Sequence, residues 1–254
     1  MKTDGSKNRI RYGLPDTVRG VLLMGMIAYH TLFDILSVFG SDMDAPWMRG
    51  VNVLRDLGAA CFILLSGFCF HFGRRNARKG LLLFAAGLVV TFATWLLDRE
   101  VFVIFGVLTF MGVAKWLLCG LHPLLRRVPP AVGAAVSLVL FLLFFSCNFG
   151  YVGFYGAVLF RWPSFCYRNY LTAFFGFPFN GFVSADYFGL LPWLFAALCG
   201  YFLHPLVMGN PRAEKALSFR LGPAAFVGRY SLWVYLLHQP VIYFAVQAIK
   251  KLFL

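Results

Sequence analysis

The sequence predicts an all-α, polytopic membrane protein with about seven transmembrane helices. The first observation is composition: hydrophobic residues make up 60% of the chain, charged residues 13%, and the mean hydropathy is +0.75. Soluble domains carry roughly a quarter charged residues. A soluble protein of 254 residues could not hide 30 phenylalanines, because its own exterior would have to be polar. The second observation is that the apolar residues are gathered into long runs.

Each apolar run is close to the roughly 20 residues that cross about 30 Å of hydrocarbon. The predicted helices are 18–40, 51–73, 79–97, 101–120, 130–149, 187–207 and 226–249. The first is a retained helix rather than a signal peptide, since it contains His30 and Asp34 and lacks a small-residue cleavage site. No soluble domain or repeat interrupts the runs, so 1–254 is interpreted as one domain. The aromatic, glycine-rich stretch 150–186 fits an interfacial segment, a lid or an extra membrane segment.

The net charge of +13 comes from basic residues in short segments, and their pattern indicates the orientation of the chain in the membrane. The basic residues lie in the N-terminal arm (Lys2, Lys7, Arg9, Arg11, Arg19) and in the segments 74–79, 126–127 and 212–220. Intervening loops carry few basic residues, so the positive-inside rule places the N-terminus in the cytoplasm. The expected location is the plasma (inner) membrane. Seven spans leave Lys250 and Lys251 outside, a mismatch that an eighth segment within 151–176 would remove. Charges in short loops, rather than on one face, argue against nucleic acid as a partner.

The six cysteines show no metal or disulfide spacing, and most lie inside the apolar runs. They are predicted to be small, buried apolar side chains, and no metal site is predicted.

Ionisable residues inside predicted spans are functional hypotheses, because burying charge in hydrocarbon is unfavourable. These residues are His30, Asp34, Arg55, Asp56, Lys115 and His238. At ~1.5 Å of rise per residue, His30 lies roughly 16 Å and His238 roughly 14 Å from the cytoplasmic side. Asp34 follows His30 by one turn on the same face. The group either forms a reactive site or only fixes helix packing; Lys115, His71 and His204 also fit snorkelling toward the inner surface.

Five segments in order resemble the small prokaryotic relatives of the heparan-alpha-glucosaminide N-acetyltransferase catalytic domain, within the transmembrane acyltransferases that include the acyltransferase 3 proteins. The segments are 14–20 (LPDTVRG) followed by Tyr29-His30 and Phe33-Asp34, 62–67 (FILLSG), 105–113 (FGVLTFMGV), 184–193 (SADYFGLLPW) and 228–240 (GRYSLWVYLLHQP). The resemblance covers nearly the whole chain. Thr109 stands where the family pattern places a histidine, so that position lacks a proton-relay histidine.

The resemblance implies transfer of an acetyl group from cytoplasmic acetyl-CoA, as co-substrate, to an acceptor on the other side of the membrane. The catalytic residue that the resemblance implies is His30, as general base; the chemistry of the reaction adds Asp34 to orient it and His238 or Arg55 to stabilise the oxyanion. The residues assigned to acetyl-CoA are Asp16, Arg19, Arg74, Arg75, Arg78 and Lys115. The residues assigned to the acceptor, a carbohydrate or small molecule, are Asp56, Asp186 and Trp193.

Two other functions remain open from the sequence. The same polar residues could line the path of a transporter or flippase, although no inverted repeat supports this. The chain could also be a structural or regulatory subunit of a larger membrane complex. The acceptor (sugar, glycan, lipid-linked saccharide or small amine), the acyl chain length and the oligomeric state, a homo-oligomer included, are left open.

Overall fold

The computed structural model describes residues 12–38, 45–97, 102–154 and 156–253, which form ten α-helices and one β-hairpin. The helices are α1 (Gly13–Val38), α2 (Pro46–Phe68), α3 (Asn76–Leu97), α4 (Val107–Leu125), α5 (Pro130–Phe144), α6 (Tyr170–Phe175), α7 (Leu190–Met208), α8 (Pro211–Ala216), α9 (Gly222–Arg229) and α10 (Ser231–Phe253); the strands are β1 (Tyr151–Phe154) and β2 (Ala157–Arg161). Short 3-10 segments extend α2 over Cys69–Phe72 and follow α5 at Cys147–Phe149.

Seven helical segments of the described chain are long and apolar enough to cross a membrane, which confirms the predicted helix class and number. They contain α1, α2, α3, α4, α5, α7 and α10. Large apolar side chains of α3 face outward, with Val89, Phe92 and Trp95 each more than 60% exposed. Hydrocarbon is the solvent that suits such a surface, because water would leave this area unfavourably hydrated. The predicted orientation across the membrane stays a prediction.

Helix ends differ from the sequence prediction where local contacts decide them. Helix α4 begins at Val107 rather than at 101, and a carboxylate oxygen of Asp186 accepts a hydrogen bond from the Val107 N–H (3.1 Å). The last predicted run is two helices, since α9 ends at Arg229 and the chain leaves helical geometry at Tyr230 (φ −101°, ψ 24°). Hydropathy continues across this break, so the pattern alone could not show it.

Some predicted features lie outside the described residues. They are the basic residues Lys2, Lys7, Arg9 and Arg11, the end of the first predicted helix at 40, the start of the fourth at 101, and the loop portions 42–44 and 98–100. The chain divides into two compact units, Met1–Gly58 with Val207–Leu254, and Ala59–Leu206. The interpretation of 1–254 as a single domain stays a prediction beside this division.

In the unit of Met1–Gly58 and Val207–Leu254, α1 packs against α9 and α10. Helices α1 and α9 cross at two glycines. A Cβ at Gly20 would overlap the carbonyl oxygen of Ala224, and a Cβ at Gly228 would overlap the carbonyl oxygen of Asp16. Small residues at a crossing let helix backbones approach closely, as is common in membranes. Two motif glycines are therefore explained by packing.

In the unit of Ala59–Leu206, α3 packs along α4, and a buried core gathers Phe70, Leu118, Ala134, Tyr201 and Phe202. The stretch after α5 folds as the antiparallel β1–β2 hairpin followed by the six-residue α6. Its tyrosines are anchored to backbone: Tyr167 donates to the Cys147 carbonyl and Tyr187 to the Ala173 carbonyl. Burial raises the pKa of Tyr167 to about 12, so it donates as a neutral phenol. No described helix within 151–176 is long enough to be the eighth span.

The cysteines are all free thiols, but the prediction that they are buried is only partly correct. Cys147 and Cys199 are buried, Cys61 is exposed, and Cys69, Cys119 and Cys166 are intermediate. A thiol is weakly polar, so exposure on a membrane-spanning helix such as α2 is tolerated.

Candidate active site

A pair of histidines from two membrane-spanning helices forms the centre of the candidate site. His30 of α1 and His238 of α10 have ring centroids 5.2 Å apart, with their planes inclined by 54°. The Tyr29 ring lies edge-on to His30 at 5.4 Å. All three residues belong to the unit of Met1–Gly58 and Val207–Leu254. The two histidines that the sequence placed at similar depth are therefore in contact.

The hydrogen position on His238 follows from its backbone contact. Its Nδ1 lies 2.6 Å from the carbonyl oxygen of Tyr235, one turn earlier in α10. A carbonyl oxygen can only accept, so Nδ1 carries the hydrogen. In the neutral ring the lone pair then resides on Nε2. His238 can thus bind a proton at Nε2, and it donates from that atom only as an imidazolium.

Asp34 has a different partner from the one that the sequence suggested. Its carboxylate oxygens accept hydrogen bonds from Nε2 of Gln239, at 3.1 and 3.4 Å. Among the described residues no hydrogen bond joins Asp34 to His30, so the predicted orientation of His30 by direct contact is absent. The physical reason is that Asp34 reaches the facing helix α10, whose neighbouring residue His238 contacts His30. Gln239 was missed because a search for ionisable groups passes over a neutral amide.

A polar network from α2 reaches the histidine pair through Tyr29. Arg55 donates from Nε and Nη2 to one oxygen of Asp56, at 2.9 and 2.8 Å, and from Nη1 to the Tyr29 hydroxyl at 3.0 Å. Tyr29 in turn donates to Oδ1 of Asn52 at 3.2 Å. The Arg55 side chain is 46% exposed, so this pair alone contributes little stability. The network positions Tyr29 beside His30; the oxyanion role of Arg55 and the acceptor role of Asp56 stay predictions.

The residues predicted to hold acetyl-CoA fall into the two separate units. In one, Arg19 pairs with Asp16 on the first turns of α1 at 3.0 Å. In the other, Lys115 donates to the Ser66 hydroxyl at 3.4 Å. The exposed arginines Arg74, Arg75 and Arg78 line an open cavity of about 490 Å³ at the start of α3. Each of these groups lies within a single unit.

The remaining assigned residues have structural contacts. Asp186 caps α4, as described above. Trp193 packs among aromatic rings, with centroids 4.9 Å from Phe188, 5.8 Å from Phe141 and 6.1 Å from Phe145. Thr109 is buried in α4. These contacts account for Asp186 and Trp193 without any bound substrate, so the role of these residues in binding the acetyl acceptor stays a prediction.

A second group of histidines went unrecognised in the sequence. His71 and His204 stack with centroids 4.5 Å apart, and their ring nitrogens donate to the carbonyls of Tyr201 (3.2 Å) and Phe68 (3.0 Å). Both rings are held by backbone, and snorkelling toward the inner surface stays a prediction. Nδ1 of His122 lies 2.7 Å from the Tyr201 hydroxyl. No spacing along the chain signals this grouping, and no metal-holding arrangement of His, Cys, Asp and Glu occurs in the described parts of the chain.

The fold and the site together define a multi-pass helical membrane protein with a paired-histidine centre on two spans. Residues 11–240 match the family model described as heparan-alpha-glucosaminide N-acetyltransferase, catalytic. The chain belongs to this family, which confirms the resemblance seen in its motifs and implies a transferase. Neither the curated proteins nor the solved structures provide a match.

Proposed function

We propose that this protein is a membrane acyltransferase that moves an acetyl group from cytoplasmic acetyl-CoA to a hydroxyl or amine of an acceptor at the outer side. The acceptor classes are a sugar, a glycan or a lipid-linked saccharide. Membership in an N-acetyltransferase catalytic family supports group transfer. The observation that carries the proposal is the contact between His30 and His238, with centroids 5.2 Å apart on two membrane-spanning helices.

The reaction needs a base and a stabiliser of negative charge. The acceptor oxygen or nitrogen attacks the thioester carbonyl carbon, a C–O or C–N bond forms, and the acceptor proton passes to His30. Collapse of the tetrahedral intermediate breaks the C–S bond, and the proton leaves with the coenzyme A thiol. General-base catalysis of this kind contributes roughly 100- to 10,000-fold in rate.

The His238 imidazole can act as a proton acceptor when it is neutral and as a hydrogen-bond donor when it is protonated. Neutral His238 presents a lone pair at Nε2, because its Nδ1 hydrogen is bonded to Tyr235. It can therefore take over a proton from the base, and as an imidazolium it can donate to the oxyanion. Two adjacent imidazolium cations would repel each other, so we expect at most one of the two rings to be an imidazolium at a time.

The donor end of the proposal uses cationic side chains. Arginine and lysine make charge-assisted hydrogen bonds to phosphates, which coenzyme A carries on its nucleotide. The cations proposed for this role are Arg19 on α1, which is paired with Asp16, and Arg74, Arg75, Arg78 and Lys115. The protein is proposed to lie in the inner membrane with a cytoplasmic N-terminus, so that these residues meet cytoplasmic acetyl-CoA.

Incubation of the purified protein with acetyl-CoA labelled in the acetyl group tests the proposal. The protein is placed in phosphatidylcholine nanodiscs with a panel of hexoses, hexosamines and lipid-linked sugars. We expect label to pass to at least one acceptor, or slowly to water, and to be lost in the His30→Ala, His238→Ala double variant. A transporter or flippase would leave the thioester intact with every acceptor, and that result would overturn the proposal.

A further inference from the structure

The cavity at the start of α3 has an unbalanced positive lining. Its lining includes Phe70, Arg74, Arg75, Asn76, Arg78 and His122, all within the unit of Ala59–Leu206. In the described part of the chain no carboxylate lies within ion-pair distance of Arg74, Arg75 or Arg78. Three fixed cations without a balancing anion favour an anionic ligand.

Hydrogen bonds hold the backbone of the loop that carries Arg74 and Arg75. The Asn76 side chain donates to the carbonyls of Phe70 (2.8 Å) and Gly73 (3.4 Å), and the Gly73 N–H donates to the Phe70 carbonyl (3.0 Å). Phe70 itself is only 6% exposed. The loop between α2 and α3 is therefore tied to the backbone of a buried residue, which sets the backbone positions of its arginines.

His122 supplies a further donor from α4, the opposite side of the cavity. Its Nδ1 lies 2.7 Å from the hydroxyl of Tyr201, which is 2% exposed. If Tyr201 donates, the neutral His122 carries its hydrogen on Nε2; if Tyr201 accepts, Nε2 binds the next proton. Nε2 is therefore an N–H donor in the neutral ring when Tyr201 donates, and in the imidazolium in either arrangement, so the buried tyrosine orients His122 to bind an anion.

We propose that this cavity is a phosphate-ester site in which Arg74, Arg75, Arg78 and His122 are the donors. Guanidinium and imidazolium groups bind phosphate oxygens through charge-assisted hydrogen bonds. The inference rests on the proposed function for one source of the phosphate, the nucleotide part of acetyl-CoA, and adds His122 and Tyr201 to that site. The headgroup of an anionic phospholipid has the same chemistry.

The groups around His122 are the three arginines of the lining, Cys119, Tyr201 and the His71 ring, whose centroid is 6.1 Å away; Arg126 follows one turn later, directly after α4. None of these groups is a carboxylate that would compete with an anionic ligand.

The test uses the full-length protein in nanodiscs and two probes. The first is adenosine 3′,5′-bisphosphate, titrated by calorimetry in phosphatidylcholine discs. The second is phosphatidylglycerol, added to the discs and counted as retained lipid by native mass spectrometry. The variants are Arg75→Gln, Arg78→Gln and His122→Gln, with Arg127→Gln as the matched control because it removes the same charge outside the lining.

We expect each lining variant to weaken binding of at least one probe by roughly tenfold, the usual cost of one charge-assisted hydrogen bond. Arg127→Gln should change the affinity for either probe less than about twofold, because Arg127 lies outside the lining. If the lining variants weaken binding of phosphatidylglycerol alone, the phosphate site is supported and these residues are excluded from the acetyl-CoA site. The acetyl-transfer assay then tests the proposed function separately. Unchanged binding of both probes in folded lining variants, or an equal loss in Arg127→Gln, overturns the inference.

Discussion

His30 of α1 and His238 of α10 face each other with ring centroids 5.2 Å apart, although they lie near opposite ends of the chain. Each is flanked on its own helix by a second residue, Tyr29 or Gln239, that is tied to another element by hydrogen bonds. The pair is therefore held from both sides. Such preorganisation is what a proton-transfer site requires.

His30→Ala should abolish transfer while the folded protein still binds acetyl-CoA. Loss of a general base costs roughly 100- to 10,000-fold in rate. Transfer rates and acetyl-CoA affinity are to be compared for His30→Ala, His238→Ala and Asp34→Asn, with the last expected to lose least because it leaves both imidazoles. Near-normal turnover in His30→Ala together with a dead His238→Ala would identify His238 as the base.

Gln239→Ala should destabilise the protein by about 1–3 kcal/mol, because Asp34 loses its amide donor in a partly buried site. Thermal unfolding in detergent measures the effect. Gln247→Ala is the control on the same helix, since Gln247 has no hydrogen bond among the described residues. Equal melting temperatures for the two variants would show that the Asp34–Gln239 contact contributes no stability.

Arg19→Ala should raise KM for acetyl-CoA with little change in kcat. Arg19 pairs with Asp16 near the beginning of α1, about 16 Å by helix rise from His30, so it cannot reach the reacting carbonyl. A residue that acts on ground-state binding alone leaves the saturated rate unchanged. Initial rates over a range of acetyl-CoA concentrations test this, and a large fall in kcat with constant KM would contradict the assignment.

Gly20→Ala and Gly228→Ala should each destabilise the protein by roughly 1–3 kcal/mol through overpacking. In both cases the added methyl group would overlap a backbone carbonyl across the α1–α9 crossing. Gly25→Ala is the matched control on α1, because no heavy atom lies within 4 Å of its Cβ position. Unfolding temperatures of the three variants in the same detergent decide the matter; destabilisation by Gly25→Ala alone would refute the packing account.

The N-terminus and the 74–79 segment should face the cytoplasm, because basic residues concentrate there. Ser6→Cys and Ala77→Cys, each in a variant with Cys61 and Cys166 replaced by serine, are treated with an impermeant maleimide in intact cells. We expect labelling only after the cells are opened. Ala77 is preferred to Asn76 because the Asn76 side chain anchors the loop. Labelling of either position in intact cells would reverse the orientation.

Several site features were predictable only in part from sequence. His30 and His238 could be identified because an ionisable group in an apolar run is conspicuous. Their contact with one another was inferred from depth along two helices, which restricts position along the membrane normal but not rotation about each helix axis. That rotation decides that Asp34 meets Gln239.

By itself the sequence determined the class of this protein: seven apolar runs, their approximate bounds and the family motifs are all properties read locally along the chain. Only the tertiary structure decided the break at Tyr230, the capping of α4 by Asp186, and the packing of His71 and His122 against Tyr201 with His204 stacked on His71. The physical reason is that whether a run can cross the hydrocarbon depends only on the length and composition of that run. Hydrogen bonds and ring contacts instead depend on which faces the packed helices present to each other, and residues far apart in sequence supply them.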